Sequence, residues 1–400
     1  MREDEHIGAR VAVERKLRGL TQRQLADRAH VSVSLLRKVE QGSRPASLAL
    51  VSSVAKALGT EQARLTGQPY YSGDRKLDAV HDLIPDLRRE LGMYGLPPDE
   101  ETRPVPVPEL AARVAECSEL VHAVDYVRLG SLLPVLLADL RAAAEAASGA
   151  DRTRVMFMMS ETYDNAKRLA YDLGYADLGA LAVSLEERAA VESEDPLAVA
   201  VARAVRAWTL TGTGAFAAAY RLLVESIRDM DAGLREATPE TWSVWGFLNL
   251  QAALASARAG DAARTWDHHG AALRAAAEVG TDADHYRLAF GPSNTAIWGV
   301  GLAVELMDGP AAVERAQHVM IPRTLPRARA GHHFLDLARG QFYNADHRGA
   351  LGSLLTARRI APQQIRYHPM ARETVYALAR TERRSSDTLR GLAAWMGVPD

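Results

Sequence analysis

The N-terminal part of the chain alternates short apolar helical faces with residues that begin or end helices. Thr21 and Ser32 are suited to begin two consecutive helices, because a side-chain hydroxyl can accept from the free N–H groups of a first turn. Gly42 is suited to end the second helix. The positions that face a core in these two helices are Leu25, Ala26, Ala29, Leu36 and Val39. The pattern predicts two short helices joined by a tight turn at His30-Val31.

Three more helices are predicted around this pair. The first covers about residues 7–18, and another runs from Leu48 to Leu58 with Ser47 as its N-cap. A short last helix lies near Glu61 to Leu65. Together these elements predict a five-helix domain over residues 1–70.

The second helix of the pair presents small, cationic and hydrogen-bonding side chains on its outer face. These are Val33, Ser34, Arg37, Lys38 and Gln41, with Arg44 in the following loop. Such a face suits the major groove of DNA, where base edges offer acceptors to Lys or Arg and thymine offers a methyl group. The alternative is a solvated face on an ordinary helical hairpin. The complete run of caps, turn and basic face favours DNA binding.

From about Pro108 onward, the pattern predicts one helix after another. Turns containing Gly, Asp, Asn or Ser recur about every 40 residues, within the range of helix-pair repeats. Leu129-Gly130-Ser131 is interpreted as one of them, and the clearest pair runs from Pro239 to Val279 with a turn at 259–262. Because one pair cannot bury its own apolar face, neighbouring pairs must stack, which predicts a right-handed α-solenoid with a concave groove over residues 108–400.

Residues 71–107 are predicted to connect the two parts. Lys76 to Met93 carries an apolar stripe at helical spacing, which could pack on the helical body or pair with a second copy of the chain. Leu96 to Leu110 contains five prolines, so an extended linker is expected.

Charge is distributed unevenly between these parts. Residues 1–70 carry 12 Lys and Arg against 7 Asp and Glu, whereas the whole chain has a net charge of −2. A basic small domain on an acidic body is expected if only the N-terminal part contacts phosphate. The chain contains no apolar run long enough to cross a bilayer, so a cytoplasmic location is expected.

Four residues of the body are candidates for binding a signal. Asn249 and Asn294 each lie in a predicted apolar helix, where an amide is costly unless it finds partners. Trp245 and Trp298 each lie four residues from one of these Asn, on the same helix face. The amides could bind an extended peptide and the indoles could form a pocket wall. The alternative explanations are a hydrogen bond between helices for the Asn residues and ordinary core packing for the Trp residues.

The sequence offers little for catalysis or metal binding. It lacks GxSxG, a phosphate-binding glycine loop, HExxH and paired cysteines, and Cys117 is its single cysteine. Adjacent histidines at 268–269 and 332–333 point about 100° apart on a helix, so neither pair suits one ion. We expect no enzyme activity, no cofactor and no metal site.

The N-terminal motifs resemble the XRE family of helix-turn-helix regulators, which includes the lambdoid phage repressors. The resemblance covers about Ile7 to Leu65, including TQxxLA from Thr21 and VSxSxL from Val31. It implies that Val33, Ser34 and Lys38 read base edges, and that Gln22, Arg23, Arg37, Gln41 and Arg44 lie near phosphates. His30 stands where the family commonly has Gly, and Val33 stands where a polar reader is common.

The body resembles the tetratricopeptide-like sensor regions of actinobacterial helix-turn-helix regulators. The stretches that carry this resemblance are Phe290 to Gly309 and Gly331 to Leu378. By that resemblance, an all-α, lambda-repressor-like DNA-binding domain is followed by a repeat domain that binds a peptide or small-molecule signal and forms a homodimer. The alternatives are a scaffold whose repeats hold a partner protein, and a repeat region that only dimerises.

Overall fold

The computed structural model describes residues 6–71, 78–98, 103–381 and 386–398. These residues form an all-helical chain, with one isolated β-bridge between Ala283 and Phe290. The N-terminal domain consists of α1 (Ile7–Leu17), α2 (Gln22–Ala29), α3 (Val33–Glu40), α4 (Leu48–Leu58) and α5 (Gln62–Thr66). The five helices occur where the sequence predicts them.

The boundaries of the N-terminal helices are fixed by local hydrogen bonds. The Thr21 hydroxyl accepts from the Gln24 N–H at 3.2 Å, and the Gln24 side chain accepts from the Thr21 N–H at 2.9 Å, which completes a capping box. Ser32 and Ser47 cap α3 and α4 in the same way through their hydroxyls. His30 adopts a left-handed conformation with φ of 54°, so the turn accommodates a side chain where glycine is easiest.

The remaining helices form a body of stacked pairs. A short helix, α6 (Ile84–Gly92), precedes them. The pairs are α7 (Val107–Ala123) with α8 (Tyr126–Ala146), α9 (Gly149–Leu173) with α10 (Ala176–Glu192), α11 (Pro196–Gly212) with α12 (Phe216–Asp231), α13 (Pro239–Arg258) with α14 (Ala262–Val279), α15 (Pro292–Glu305) with α16 (Gly309–Ala316), and α17 (Arg327–Tyr343) with α18 (His347–Ile360). The chain continues through α19 (Pro362–Tyr367), α20 (Pro369–Thr381) and α21 (Asp387–Met396).

The first helix of each pair faces the inside of this arrangement. Residues of α7, α9, α11, α13, α15 and α17 line one shared central cavity. The arrangement also closes on itself, because α17 packs against α7 and one hydrophobic core includes both Val114 and Leu335. The described part of the chain contains no helix that is both long enough and apolar enough to span a membrane.

The apolar stripe before the Pro-rich segment packs on the body. Val80, Ile84, Leu87 and Leu91 are buried in the same core as α8 and α9. The sequence leaves open whether this stripe packs on the body or pairs with a second copy of the chain. The structure shows that it packs on the body. Residues 72–77, where the predicted helix begins, lie outside the described part, and α7 already begins at Val107 within the predicted linker.

One predicted turn is wrong. Leu129-Gly130-Ser131 lies inside α8, and the chain reverses earlier, at Val124, which has φ of 62°. Gly130 serves close packing, since a Cβ there would lie 2.9 Å from Leu83 Cδ1 and 3.3 Å from Leu83 Cβ and would displace that side chain. The glycine thus allows the segment before α6 to approach α8 closely.

The N-terminal domain packs directly on the body. The Glu373 carboxylate of α20 accepts from the backbone N–H of Ile7 at 3.3 Å and of Ala46 at 3.0 Å. Met370, also on α20, completes the hydrophobic core of the N-terminal domain. A second contact lies at the end of α11, where the Ser52 hydroxyl donates to the Gly212 carbonyl at 2.9 Å. The domain therefore contacts the body at separate places, including α20 and the end of α11.

Candidate nucleic-acid interface and central cavity

The outer face of α3 is open to solvent. Ser34, Arg37, Lys38 and Gln41 are exposed, while Leu36 and Val39 anchor the helix in the domain core at 0% and 1% exposure. Arg23, at the start of α2, is also exposed. A short helix with a buried apolar side and a free basic side has the geometry that major-groove reading requires.

Glu40 holds α3 in place through charged hydrogen bonds. Arg15 donates to its carboxylate through Nε at 2.7 Å and through Nη2 at 2.9 Å, and this pairing raises the pKa of Arg15. The side chain of Gln22 donates to the same carboxylate at 2.8 Å. A bidentate guanidinium–carboxylate pair has a defined geometry, so it fixes the position of α3 relative to α1. Gln22 is thus half-buried, and its side chain is hydrogen-bonded to Glu40 of α3.

Two other predicted DNA contacts are less exposed than the face of α3. Val33 packs partly against the domain core. Arg44 is half-buried at the contact between the two domains, where its Nη2 lies 3.6 Å from the Met307 Sδ of the turn between α15 and α16. Gln41 is linked to the body through its carbonyl, which accepts from Arg380 at 2.9 Å. The loop after α3 therefore contacts the body while α3 itself remains exposed.

The central cavity has a volume of about 290 Å³ and lies between the inner helices. Asn294 and Trp298 are both part of its lining. Leu48, the first residue of α4, also lines it, so the N-terminal domain contributes to the cavity wall. A ligand in this cavity would contact both domains at once.

The other two candidate residues of the body lie outside this lining. The Asn249 amide donates to the Trp245 carbonyl at 3.0 Å, and its oxygen lies 2.9 Å from His268 Nδ1. The Trp245 indole N–H donates to Asp231 at 3.0 Å. Both side chains are thereby engaged by neighbouring parts of the repeat.

Buried ion pairs connect the inner helices around the cavity. Glu305 on α15 accepts from Arg258 on α13 at 3.1 Å and from Arg339 on α17 at 3.2 Å. Burial favours the neutral carboxyl, but the two guanidinium groups outweigh it and lower the pKa of Glu305. Three successive inner helices are therefore joined through one carboxylate.

Arg329 and two histidines form a polar group on another side of the cavity. Arg329 donates through Nε to Asn294 Oδ1 at 2.8 Å, and its guanidinium lies 5.3 Å from the centre of the Trp298 ring. The rings of His332 and His368 pack edge to face with centres 5.6 Å apart. Burial, together with nearby cationic groups, lowers the pKa of each of these histidines to about 3, so both are neutral at pH 7.

Sequence reasoning did not single out Arg329, His368 or Leu48. Arg329 lies 35 residues after Asn294, and His368 lies more than 70 residues after Asn294. No local spacing in the sequence therefore connects these three residues. The detectable signal was His332, three residues after Arg329 on the same helical face, which the sequence offered only as one of two adjacent histidines. No group of three or more His, Cys, Asp or Glu side chains within the described ranges is placed to hold a metal ion.

Comparison with protein-family models identifies the N-terminal domain. Residues 12–61 match the helix-turn-helix family model, which covers α2, α3 and α4. No curated protein and no solved structure gave a significant match. The class of protein follows from the domain and its exposed basic helix: residues 12–61 form an XRE-type helix-turn-helix domain, and the chain is a DNA-binding transcription regulator.

Proposed function

We propose that this regulator binds a specific operator as a homodimer, and that its helical-repeat body senses a peptide or small-molecule signal. The body is then a regulatory domain, and the helix-turn-helix domain is its output. Ser34 and Lys38 are the principal readers of base edges, with Val33 contacting a thymine methyl. Exposed Arg23 and Arg37 contribute phosphate contacts.

The observation that carries the proposal is the shared wall of the central cavity. Leu48 begins α4 of the DNA-binding domain and lines the same cavity as Asn294 and Trp298 of the body. A signal bound there touches both domains, so its binding free energy depends on how they are arranged. Such a difference between two arrangements is what allows a ligand to shift a population.

The path from the cavity to α3 is short. His368 lines the cavity and immediately precedes α20. From α20, Glu373 binds the N-terminal domain at Ile7 and Ala46, and Arg380 binds the carbonyl of Gln41 after α3. A shift of α20 on signal binding would move the DNA-binding domain of each protomer and change the distance between the two α3 helices. That distance matters because half-sites are read about one helical turn of DNA apart.

The lining of the cavity supports a signal molecule more than a protein partner. A scaffold that holds a partner helix needs an open apolar groove. Here the cavity is bounded by inner helices and contains Asn294, Arg329 and Trp298, which suits a small ligand with polar groups. The second candidate, a protein-interaction scaffold, therefore has less structural support.

The sensing part of the proposal is tested with operator DNA and small molecules from the producing cells. Full-length protein is titrated onto DNA from upstream of its own gene, with and without the small-molecule fraction of a cell extract. We expect one fraction to change the operator affinity by about 1–3 kcal/mol. A compound that binds the protein tightly and leaves operator affinity unchanged contradicts signal sensing, while specific DNA binding would stand.

A further inference from the structure

Among the described residues, one cation of the central cavity forms no ion pair with a carboxylate. Five cationic side chains line the cavity, and four have a carboxylate partner: Lys167 and Arg168 pair with Asp164, and Arg258 and Arg339 pair with Glu305. Arg329 is the fifth. Among the residues that the structure describes, no carboxylate oxygen lies within 4.0 Å of its guanidinium.

The contacts of Arg329 orient its charge without neutralising it. Asn294 accepts from Nε, and the Trp298 ring lies beside the guanidinium. Burial lowers the pKa of Arg329 to about 10, which leaves the group charged at pH 7. Asp336 favours the charged form of Arg329 from beyond ion-pair distance, so the charge is only partly compensated and an incoming anion would be favoured. The two Nη groups form no hydrogen bond to a described residue, and they have the fork geometry that binds carboxylates.

His368 provides a second donor on the same side of the cavity. Its Nδ1 accepts from the Met370 N–H at 3.1 Å, so the neutral ring carries its proton on Nε2. The His332 ring packs against the His368 ring and lies on the same face of α17 as Arg329. Arg329 and His332 lie deep in the protein, yet each side chain is partly exposed. The exposed part of each side chain faces the cavity.

The rest of the lining combines apolar side chains with charged ones, among them the carboxylates of Asp172, Glu305 and Asp336. Its apolar and aromatic side chains include Trp208, Phe247, Leu254, Ile297 and Trp298. A volume of about 290 Å³ is at the lower end of the range for small-molecule sites and too small for an extended peptide. The Arg329 cation, together with the apolar and aromatic side chains of the same lining, suits an amphipathic ligand.

We propose that the central cavity binds a small organic acid, whose carboxylate is held by Arg329 and His368 and whose apolar body packs against Trp298 and its neighbours. The proposal rests on the signal-sensing function and narrows the signal from a peptide or any small molecule to this class. Through Leu48 and His368, the acid contacts the DNA-binding domain and the residue preceding α20. Binding of the acid therefore acts directly on the contact between the domains.

Matched acids and amides test the ligand class. Binding to full-length protein is measured by ligand-observed NMR for 3-phenylpropionate, indole-3-acetate and 4-methylpentanoate, each beside its primary amide. The amide keeps the shape and removes the charge. We expect at least one acid to bind, and its amide to bind about 30-fold more weakly, as for the loss of a charged hydrogen bond. If no acid binds, or if acid and amide bind equally, the proposal is overturned.

Substitutions then locate the site. Arg329→Met should weaken binding of the acid about 30-fold, and Arg323→Met, an exposed loop position before α17, should leave it unchanged. Arg329→Lys keeps the charge without the fork and should weaken binding about 10-fold. If Arg329→Met does not fold, Arg329→Lys takes its place as the test of the site. Unchanged binding in a folded Arg329 variant places the acid elsewhere and overturns the assignment.

The two proposals are distinguished by measuring DNA affinity separately. The same acid is added to full-length protein bound to operator DNA. A change in operator affinity that Arg329→Lys reduces supports both the acid site and signal sensing. If the acid binds in an Arg329-dependent way and operator affinity does not change, the acid site stands and the sensing function fails.

Discussion

Lys38 and Glu40 are two residues apart on α3 and have opposite environments. Lys38 is exposed on the outer face, whereas the Glu40 carboxylate is buried and bound by Arg15 and Gln22. Because Glu40 fixes the helix, the exposed Lys38 side chain lies on the outer face without an ion pair to another described residue. In the proposed function, Lys38 reads bases while Glu40 holds the helix in position.

Replacing Lys38 tests its assignment as a reader of bases. In Lys38→Ala, the free-energy difference between operator and unrelated DNA should fall by about 1–3 kcal/mol, because one base-edge donor is lost. Lys56→Ala is the matched control, since Lys56 is also exposed and lies on α4 instead of α3. Competition binding at constant salt measures both. Equal loss of discrimination in the two variants would show that Lys38 contributes only charge.

The residue scale is where sequence reasoning succeeds most often. Thr21, Ser32 and Ser47 were predicted as N-caps, and each hydroxyl accepts the expected backbone N–H. A cap is decided within four residues, so the sequence contains all the information needed. Gly130 was misinterpreted because its role depends on Leu83, 47 residues earlier in the chain. A glycine that permits close packing looks the same in sequence as one that permits a turn.

At the scale of helices, one carboxylate joins three successive pairs of the body. Glu305 on α15 binds Arg258 on α13 and Arg339 on α17, and all three side chains are at least nine-tenths buried. Periodicity predicted where pairs such as α13 and α14 begin and end. It could not predict this junction, since the three residues lie 47 and 34 positions apart.

Removing this carboxylate should destabilise the body. Glu305→Ala leaves two buried guanidinium groups without their shared partner, and breaking such a buried pair costs about 3–5 kcal/mol. Glu314→Ala, at an exposed position on α16, should change the free energy of unfolding by less than about 0.5 kcal/mol. Urea unfolding of both variants provides the comparison. A Glu305→Ala protein as stable as the control would show that the pairing contributes nothing net.

At the scale of the whole molecule, the DNA-binding domain is an integrated part of the body. Glu373 binds backbone groups of Ile7 and Ala46 across 366 and 327 residues of sequence. The sequence predicted both domains but not their contact, because Glu373 lies within an ordinary helical stretch and its partners are backbone N–H groups. The same limit applies to the cavity: Asn294 and Trp298 were expected at a groove, while Leu48 from the other domain was not.

Replacing Glu373 should loosen the contact between the domains. Glu373→Ala leaves the N–H groups of Ile7 and Ala46 buried without an acceptor, at about 1–3 kcal/mol each. Hydrogen exchange at these two amides should accelerate, while exchange within α13 and α14 stays unchanged. Glu278→Ala, exposed on α14, is the control. Unaltered exchange at Ile7 and Ala46 would contradict the domain contact described here.

The most direct test of the account is selection of bound sequences from random double-stranded DNA by the full-length protein. Specific reading by α3 in a homodimer predicts one enriched motif with two related half-sites, their centres about 10 base pairs or a multiple of that apart. The same selection with Lys38→Ala should lose preference at particular positions within each half-site. Enrichment of no motif, with binding that depends on salt alone, would contradict the central claim that this protein is a sequence-specific regulator.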